Sequence, residues 1–246
     1  LLAQYLRRRE FGDTAEGDTD TPPKTFPFLG DAQEKRDPAA LRQERAITAL
    51  WFAKGLLDSV PGVALRQFVL QDLQASPASQ AVIFSVVSVL PWNLKFFAAF
   101  VSDTFPIGGR RRIPYMVLGL CGQALCWTLL ATLPGSEGLT AGLVFAQIVS
   151  CMFMCVMLDT MTVEAMNLYE KGADKGKLQT STWLWGTIGG LIGSLLGGWM
   201  LDYWPQFSYR GMMLFRAVMV APELLVVVFL SDAKLKPGDS RGKGIC

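Results

Sequence analysis

The chain has 246 residues, of which 51% are hydrophobic and 18% charged, and it contains no histidine. A soluble domain of this size carries about 25% charged residues, so the composition disfavours a soluble enzyme. The missing imidazole excludes a Ser-His-Asp triad, a His-ligated zinc and an imidazole proton relay. A net charge of +2 gives no reason to expect a nucleic-acid partner.

In chain order, residues 1–45 come first, with eight Lys/Arg, nine Asp/Glu and the prolines Pro22, Pro23 and Pro27. This composition predicts a polar tail outside any bilayer. After Arg45 it inverts. Six long apolar segments follow, at about Ala46 to Leu70, Ser79 to Val101, Ile113 to Leu133, Leu139 to Met161, Leu178 to Tyr203 and Met212 to Leu230. Each is close to the roughly 20 residues that a helix needs to cross a bilayer. The expected fold is all-α, a multi-pass membrane protein with a six-helix domain over 46–231 and a polar segment over 232–246. Lys and Arg crowd one side: the tail, the turn holding Arg110, Arg111 and Arg112, the loop holding Lys171, Lys175 and Lys177, and the C-terminal Lys234, Lys236, Arg241 and Lys243. The opposite loops hold only Arg210. The bias places both termini on the cytoplasmic side or its organellar equivalent.

Charges inside these segments are the candidate functional groups. A charge at the bilayer centre costs roughly 3 kcal/mol on insertion scales and so faces a protein interior or a wet cavity. Lys54 and Asp58 are four residues apart, on one face of the first helix, and are expected to pair. Such a pair serves either helix packing or a substrate or proton. Lys95 and Asp159 lie nearer the basic side and suggest an ion pair or a gate. Arg216 and Glu223, seven residues apart, share a face of the sixth helix. Arg66, near an end, is expected to snorkel. Pro61 and Gly62 suggest a break or kink just after Asp58.

The fifth segment repeats small residues, with Gly186, Gly190, Gly193 and Gly197 at three- and four-residue spacing. Absent side chains allow a second helix backbone to approach closely. Cys121, Cys126, Cys151 and Cys155 read as small packing residues. No catalytic residue, metal site or cofactor is expected. Asp159 and Glu164 are a carboxylate pair, but their five-residue spacing turns them apart on a helix.

The second junction reads Pro91-Trp92-Asn93-Leu94-Lys95, then Ser102-Asp103-Thr104-Phe105-Pro106-Ile107-Gly108-Gly109-Arg110-Arg111-Arg112, then Pro114-Tyr115. An acid closing one helix, a Gly turn and an Arg cluster opening the next resemble the signature of the major facilitator superfamily. The flanking residues resemble the folate–biopterin transporter family in particular. Asp159-Thr-Met-Thr-Val-Glu164 and Gly176-Lys-Leu178-Gln179-Thr180 are similar to two further elements of that family, in the right order. Cys155 stands where the family tends to carry another acid, and Ala99 where the superfamily commonly has Gly. The resemblance implies the N-terminal six-helix half of a carrier for folate- or pterin-like organic anions, proton-coupled, in a plasma or plastid membrane. It makes Lys54, Asp58, Lys95, Asp159 and Glu164 candidates for substrate or proton binding, and Asp103, Arg110, Arg111 and Arg112 a gating motif. Trp51, Phe52 and Trp183 offer aromatic surfaces to a flat ring. Implied partners are the lipid bilayer, the small-molecule substrate and a second six-helix half, a homodimer mate or a larger membrane complex. The alternative function is a transporter-derived subunit without transport activity in a photosynthetic or respiratory assembly.

Overall fold

A computed structural model describes residues 38–170, 175–203 and 208–230. The tail up to residue 37 and the segment 232–246 lie outside the described residues. Six long helices carry the fold: α1 (Pro38–Gln67), α2 (Pro77–Thr104), α3 (Ile113–Thr132), α4 (Glu137–Tyr169), α5 (Lys177–Tyr203) and α6 (Tyr209–Val228). All but α1 are long and apolar enough to cross a membrane. α1 has the length, but Lys54 and Asp58 interrupt its apolar run.

Local chemistry explains the helix ends. Ser76 precedes Pro77, and its hydroxyl accepts from the Ser79 amide at 3.2 Å, an N-cap with proline at the first position. Ser136 and Ser208 cap α4 and α6 in the same way, from the Leu139 and Gly211 amides. Glu137, in the first turn of α4, accepts from the Ser76 amide and the Ser79 hydroxyl, tying the starts of α2 and α4 together. Glu170 caps α5 from outside it, accepting from the amides of Gly176 and Leu178 at 2.6 Å each. A carboxylate is well placed at that positive helix end.

Several expectations from the sequence are corrected. α1 begins at Pro38 rather than near Ala46, because the run Ala39-Ala40-Leu41 favours helix and a proline is tolerated in a first turn. α1 also runs on through Pro61 with no break. A proline inside a membrane helix is accommodated when neighbouring helices enclose it, and Pro61 is buried. The irregularity comes later: a π-helical turn at Phe68–Asp72 ends α1, and α2 contains a second at Val82–Val87 and a 3-10 stretch at Leu90–Leu94 around Pro91. α4 continues to Tyr169, past the expected end near Met161.

Helix pairing follows side-chain size. α1 packs on α5 and α6, and α3 on α4 and α6. The α1–α5 contact is backbone on backbone. A Cβ added to Gly193 would lie 3.0 Å from Leu56 Cα, and one added to Gly197 would lie 2.9 Å from the Val60 carbonyl oxygen. Gly55 makes the reciprocal approach from α1, where an added Cβ would strike the Gly186 carbonyl and come within 2.9 Å of the Gly190 amide. Gly186 and Gly190 themselves have room for a methyl group, their nearest neighbours outside the helix being at 3.5 Å. At Gly189 an added Cβ would strike the Phe52 carbonyl oxygen and lie 3.0 Å from the Leu56 amide nitrogen, so the tightest positions are Gly55, Gly189 and Gly193.

The main apolar core joins α1, α3 and α4 through Ile47, Leu50, Met116, Leu120, Met154, Met157, Leu158 and Met161. A second cluster of Phe68, Val69, Trp127, Leu130 and Met213 closes the other end. Large apolar side chains also face outward, among them Phe96, Phe100, Leu191, Leu195 and Val228, as a lipid-facing surface requires.

Candidate functional site

Three helices converge on Asp58. Arg216 of α6 grips its Oδ1 through Nε at 3.1 Å and Nη2 at 2.9 Å. Lys54, one turn earlier on α1, donates to its Oδ2 at 3.1 Å. Nη2 of Arg216 also donates to Gln123 of α3 at 3.1 Å, and Nη1 to Oε2 of Glu223 at 3.0 Å. The planar guanidinium suits this task, since its fixed fork reaches several acceptors at once. Two bases face two acids, so the network balances when all four are ionised. That balance is what makes it tolerable, because a buried charge without a partner is strongly destabilising. Oε1 of Glu223 is buried and, among the described residues, has no hydrogen-bond partner.

Exposure grades outward from this centre. The side chains of Arg216 and Glu223 are each 1% exposed, those of Lys54 and Asp58 16% and 22%, and those of Lys95 and Asp159 46% and 40%. The path runs along one stripe of α4. Cys151 Sγ lies 3.7 Å from Asp58 Oδ2 and 3.9 Å from Cys155 Sγ. One turn further, Asp159 meets Lys95 of α2 at 3.8 Å, and the Lys95 ammonium stands 4.9 Å from the centroid of the Trp92 ring, within cation–π range. Thr162 then accepts from Trp51 Nε1 at 3.3 Å. Asp58 thus faces Cys151 while Trp51 faces Thr162, so α1 and α4 run antiparallel. Trp51 also stacks on Trp183 of α5, with centroids 6.4 Å apart and planes at 21°, and Phe52 meets Trp185 edge-on at 6.1 Å.

The signature turn forms a separate cluster. Gly108 and Gly109 adopt φ of 60° and 73°, the left-handed region in which glycine is at ease, and the Arg110 amide closes the turn on the Ile107 carbonyl at 3.1 Å. Arg112 reaches Asp103 at 2.9 Å, the Ser102 hydroxyl at 2.9 Å and Glu164 of α4 at 3.1 Å. Tyr115 donates to the Phe105 carbonyl at 2.6 Å. Among the described residues Arg112 alone of the three arginines pairs with acids; Arg110 is exposed and Arg111 half-buried.

The sequence-derived candidates are therefore divided by the fold. Lys54, Asp58, Lys95 and Asp159 line one α1–α2–α4 face, while Glu164 belongs to the turn cluster with Asp103 and Arg112. Gln123 was missed: it is a single amide in an apolar span, a weak signal on its own. Arg216 and Glu223 were visible as a pair on one face, but nothing in their spacing pointed to Asp58. Arg66 is exposed and lies over the Phe84 ring at 5.6 Å.

A family model described as the BT1 family matches residues 54–243. The chain is 31% identical to "Probable folate-biopterin transporter 4" of Arabidopsis thaliana, over 63% of this chain and 32% of that protein. It is 34% identical to "Folate-biopterin transporter" of Synechocystis sp., over 67% of this chain and 32% of that protein. It is 28% identical to "Probable folate-biopterin transporter 9, chloroplastic" of Arabidopsis thaliana, over 78% of this chain and 35% of that protein. The chain thus spans about a third of the length of these relatives. No solved structure matches it.

Proposed function

The chain belongs to the BT1 family, and from that membership we propose that its six helices form one wall of a proton-coupled transporter for folate- or pterin-type organic anions. The observation that carries this reading is the graded ionic face, on which Lys54, Asp58, Lys95 and Asp159 line a path from a buried guanidinium to the open Trp51–Trp183 stack. A pterin is flat, aromatic and rich in polar edges. Trp51 and Trp183 offer it stacking surface, Asp159 a carboxylate for ring N–H groups, and Lys54 and Lys95 cations for an acidic tail.

A carrier of this kind binds at the interface of two halves. Here the second wall is another six helices or a second copy of this chain. The Asp103–Arg112–Glu164 cluster acts as the gate on the basic side, holding the α2–α3 turn against the end of α4 in one conformation. All six helices span the bilayer, α1 included, with its charges turned toward α4 and α6. Both termini then lie on the basic, cytoplasmic or stromal side, and a plastid envelope fits the chloroplastic relative.

Uptake of radiolabelled folate and biopterin into proteoliposomes holding the full-length product tests the reading. Lys54→Met and Asp58→Asn are expected to lower uptake by about tenfold or more, as removing a charged hydrogen bond does. Equal uptake by protein-containing and empty vesicles would refute it.

A further inference from the structure

We propose that Glu223 binds the coupling proton, and that its protonation turns a charge-balanced network into one with a surplus positive charge beside Lys54. This rests on the transport function proposed above and names a residue for its proton step.

The two buried acids differ in what their oxygens do. Asp58 is fully engaged: Oδ1 accepts twice from Arg216, and Oδ2 meets Lys54 and the Cys151 thiol. A proton arriving there must displace a bond. Glu223 has only Oε2 engaged, with Arg216, while Oε1 has no partner among the described residues. A proton taken from water on the acidic side of the membrane forms an O–H bond at Oε1 and breaks no existing hydrogen bond. The two bonds of Arg216 to Asp58 and its bond to Gln123 do not involve Glu223. The hydrogen bonds of the network therefore have their partners in both protonation states of Glu223, and what changes is the charge balance, which an incoming anion restores.

The groups facing Glu223 are few. α6 packs on α1 and α3. Arg216 is on its own helix, α1 contributes Asp58 and Lys54, and α3 contributes the neutral amide Gln123. Cys151 and Cys155 of α4 stand behind Asp58 and Lys54. With Glu223 ionised, two acids offset two bases. With Glu223 neutral, the fixed pair Lys54 and Arg216 faces Asp58 alone, and one positive charge is uncompensated. Lys54 is the more open of the two bases, at 16% exposure against 1%, so an incoming carboxylate meets the surplus there. Anion and proton are then bound together or not at all. Loss of the proton to the other side restores the balance and releases the anion.

The full-length product in proteoliposomes, clamped at zero membrane potential, separates the two claims. Counterflow of labelled against unlabelled folate reads transport without net proton movement. Accumulation driven by an inward pH gradient reads coupling, and one pH unit supports about tenfold accumulation for one proton per anion. Wild type is expected to show both. Glu223→Gln is expected to keep measurable counterflow while gradient-driven accumulation falls to the onefold level of simple equilibration, and Glu223→Asp, still titratable, to recover part of it. Gradient-driven accumulation in Glu223→Gln equal to wild type overturns the proton assignment and leaves transport standing. Absence of counterflow in wild type overturns both. Infrared difference spectra of the detergent-solubilised protein across a pH step give a readout that needs no transport. Wild type is expected to show a protonated-carboxyl band that Glu223→Gln lacks, and an unchanged band in the variant overturns the assignment.

Discussion

Replacing glycines of α5 one at a time by alanine measures how close α1 stands. At Gly193 an added methyl group would lie 2.9 Å from the Leu56 carbonyl carbon and 3.0 Å from Leu56 Cα. These are backbone atoms, which no rotamer change can move, so the helices must separate. Overpacking of this kind costs about 1–3 kcal/mol, offset by up to about 1 kcal/mol because alanine is the better helix former. For so close a backbone approach the upper end of that cost applies, and a net loss of about 2 kcal/mol corresponds to a fall of roughly 4–8 °C in unfolding temperature for a domain of this size. Gly198 is the internal control, because nothing lies within 4 Å of its added Cβ; there alanine is expected to leave the midpoint unchanged or raise it slightly. Gly186 and Gly190, with neighbours at 3.5 Å, belong near the control, and Gly55 on α1 belongs with Gly193. Tryptophan fluorescence during thermal unfolding in detergent, backed by helical circular dichroism, reads the series. Equal shifts for Gly193→Ala and Gly198→Ala would refute the claim that α1 and α5 touch through their backbones.

Two more substitutions probe the helix ends. Glu170→Ala strips the cap from the Gly176 and Leu178 amides and is expected to cost about 0.5–2 kcal/mol; hydrogen exchange should speed up at those amides while the centre of α5 is unaffected. Arg112→Gln removes the link joining Asp103 and Glu164, and amide exchange across the turn at residues 105–110 should rise about tenfold, equivalent to about 1.4 kcal/mol. Unchanged exchange there would show that Tyr115 and the glycines hold the turn without the ion pairs.

The sequence was most legible where one helix carried the whole signal. Long apolar runs marked α2 to α6 because a bilayer demands length and hydrophobicity from each span separately. The four-residue spacing of Lys54 and Asp58 put them on one face, and their 3.1 Å pairing follows from helix geometry alone. Likewise the seven-residue spacing of Arg216 and Glu223 brings them to 3.0 Å. What spacing could not supply was the bond from Arg216 to Asp58, 158 residues apart, because it depends on how α6 docks on α1. Gly55 escaped notice for a related reason: a single glycine announces no stripe, and its role exists only opposite Gly186 and Gly190. Pro61 suggested a break, since a proline in an isolated helix disrupts it, yet tertiary packing around the buried ring keeps α1 continuous. The assignment of Glu164 to the turn rather than to the α1–α4 face turned on α4 extending to Tyr169, which carries Glu164 past the apolar run to the level of Arg112.

Each charged helix at the centre of the bundle brings its own counter-ion. During synthesis α1 emerges before α6, and Asp58 waits for 158 further residues before Arg216 exists. Lys54 stands beside it from the start, one turn away on the same helix, so the middle of α1 carries no unmatched charge in the meantime. α6 arrives in the same condition, with Glu223 two turns from Arg216. Neither pair needs the other helix for its own charge balance, and the bond from Arg216 to Asp58 joins two helix centres that hold no stranded charge. The docking of α6 onto α1 and α3 therefore brings together two ion pairs that are each made within a single helix.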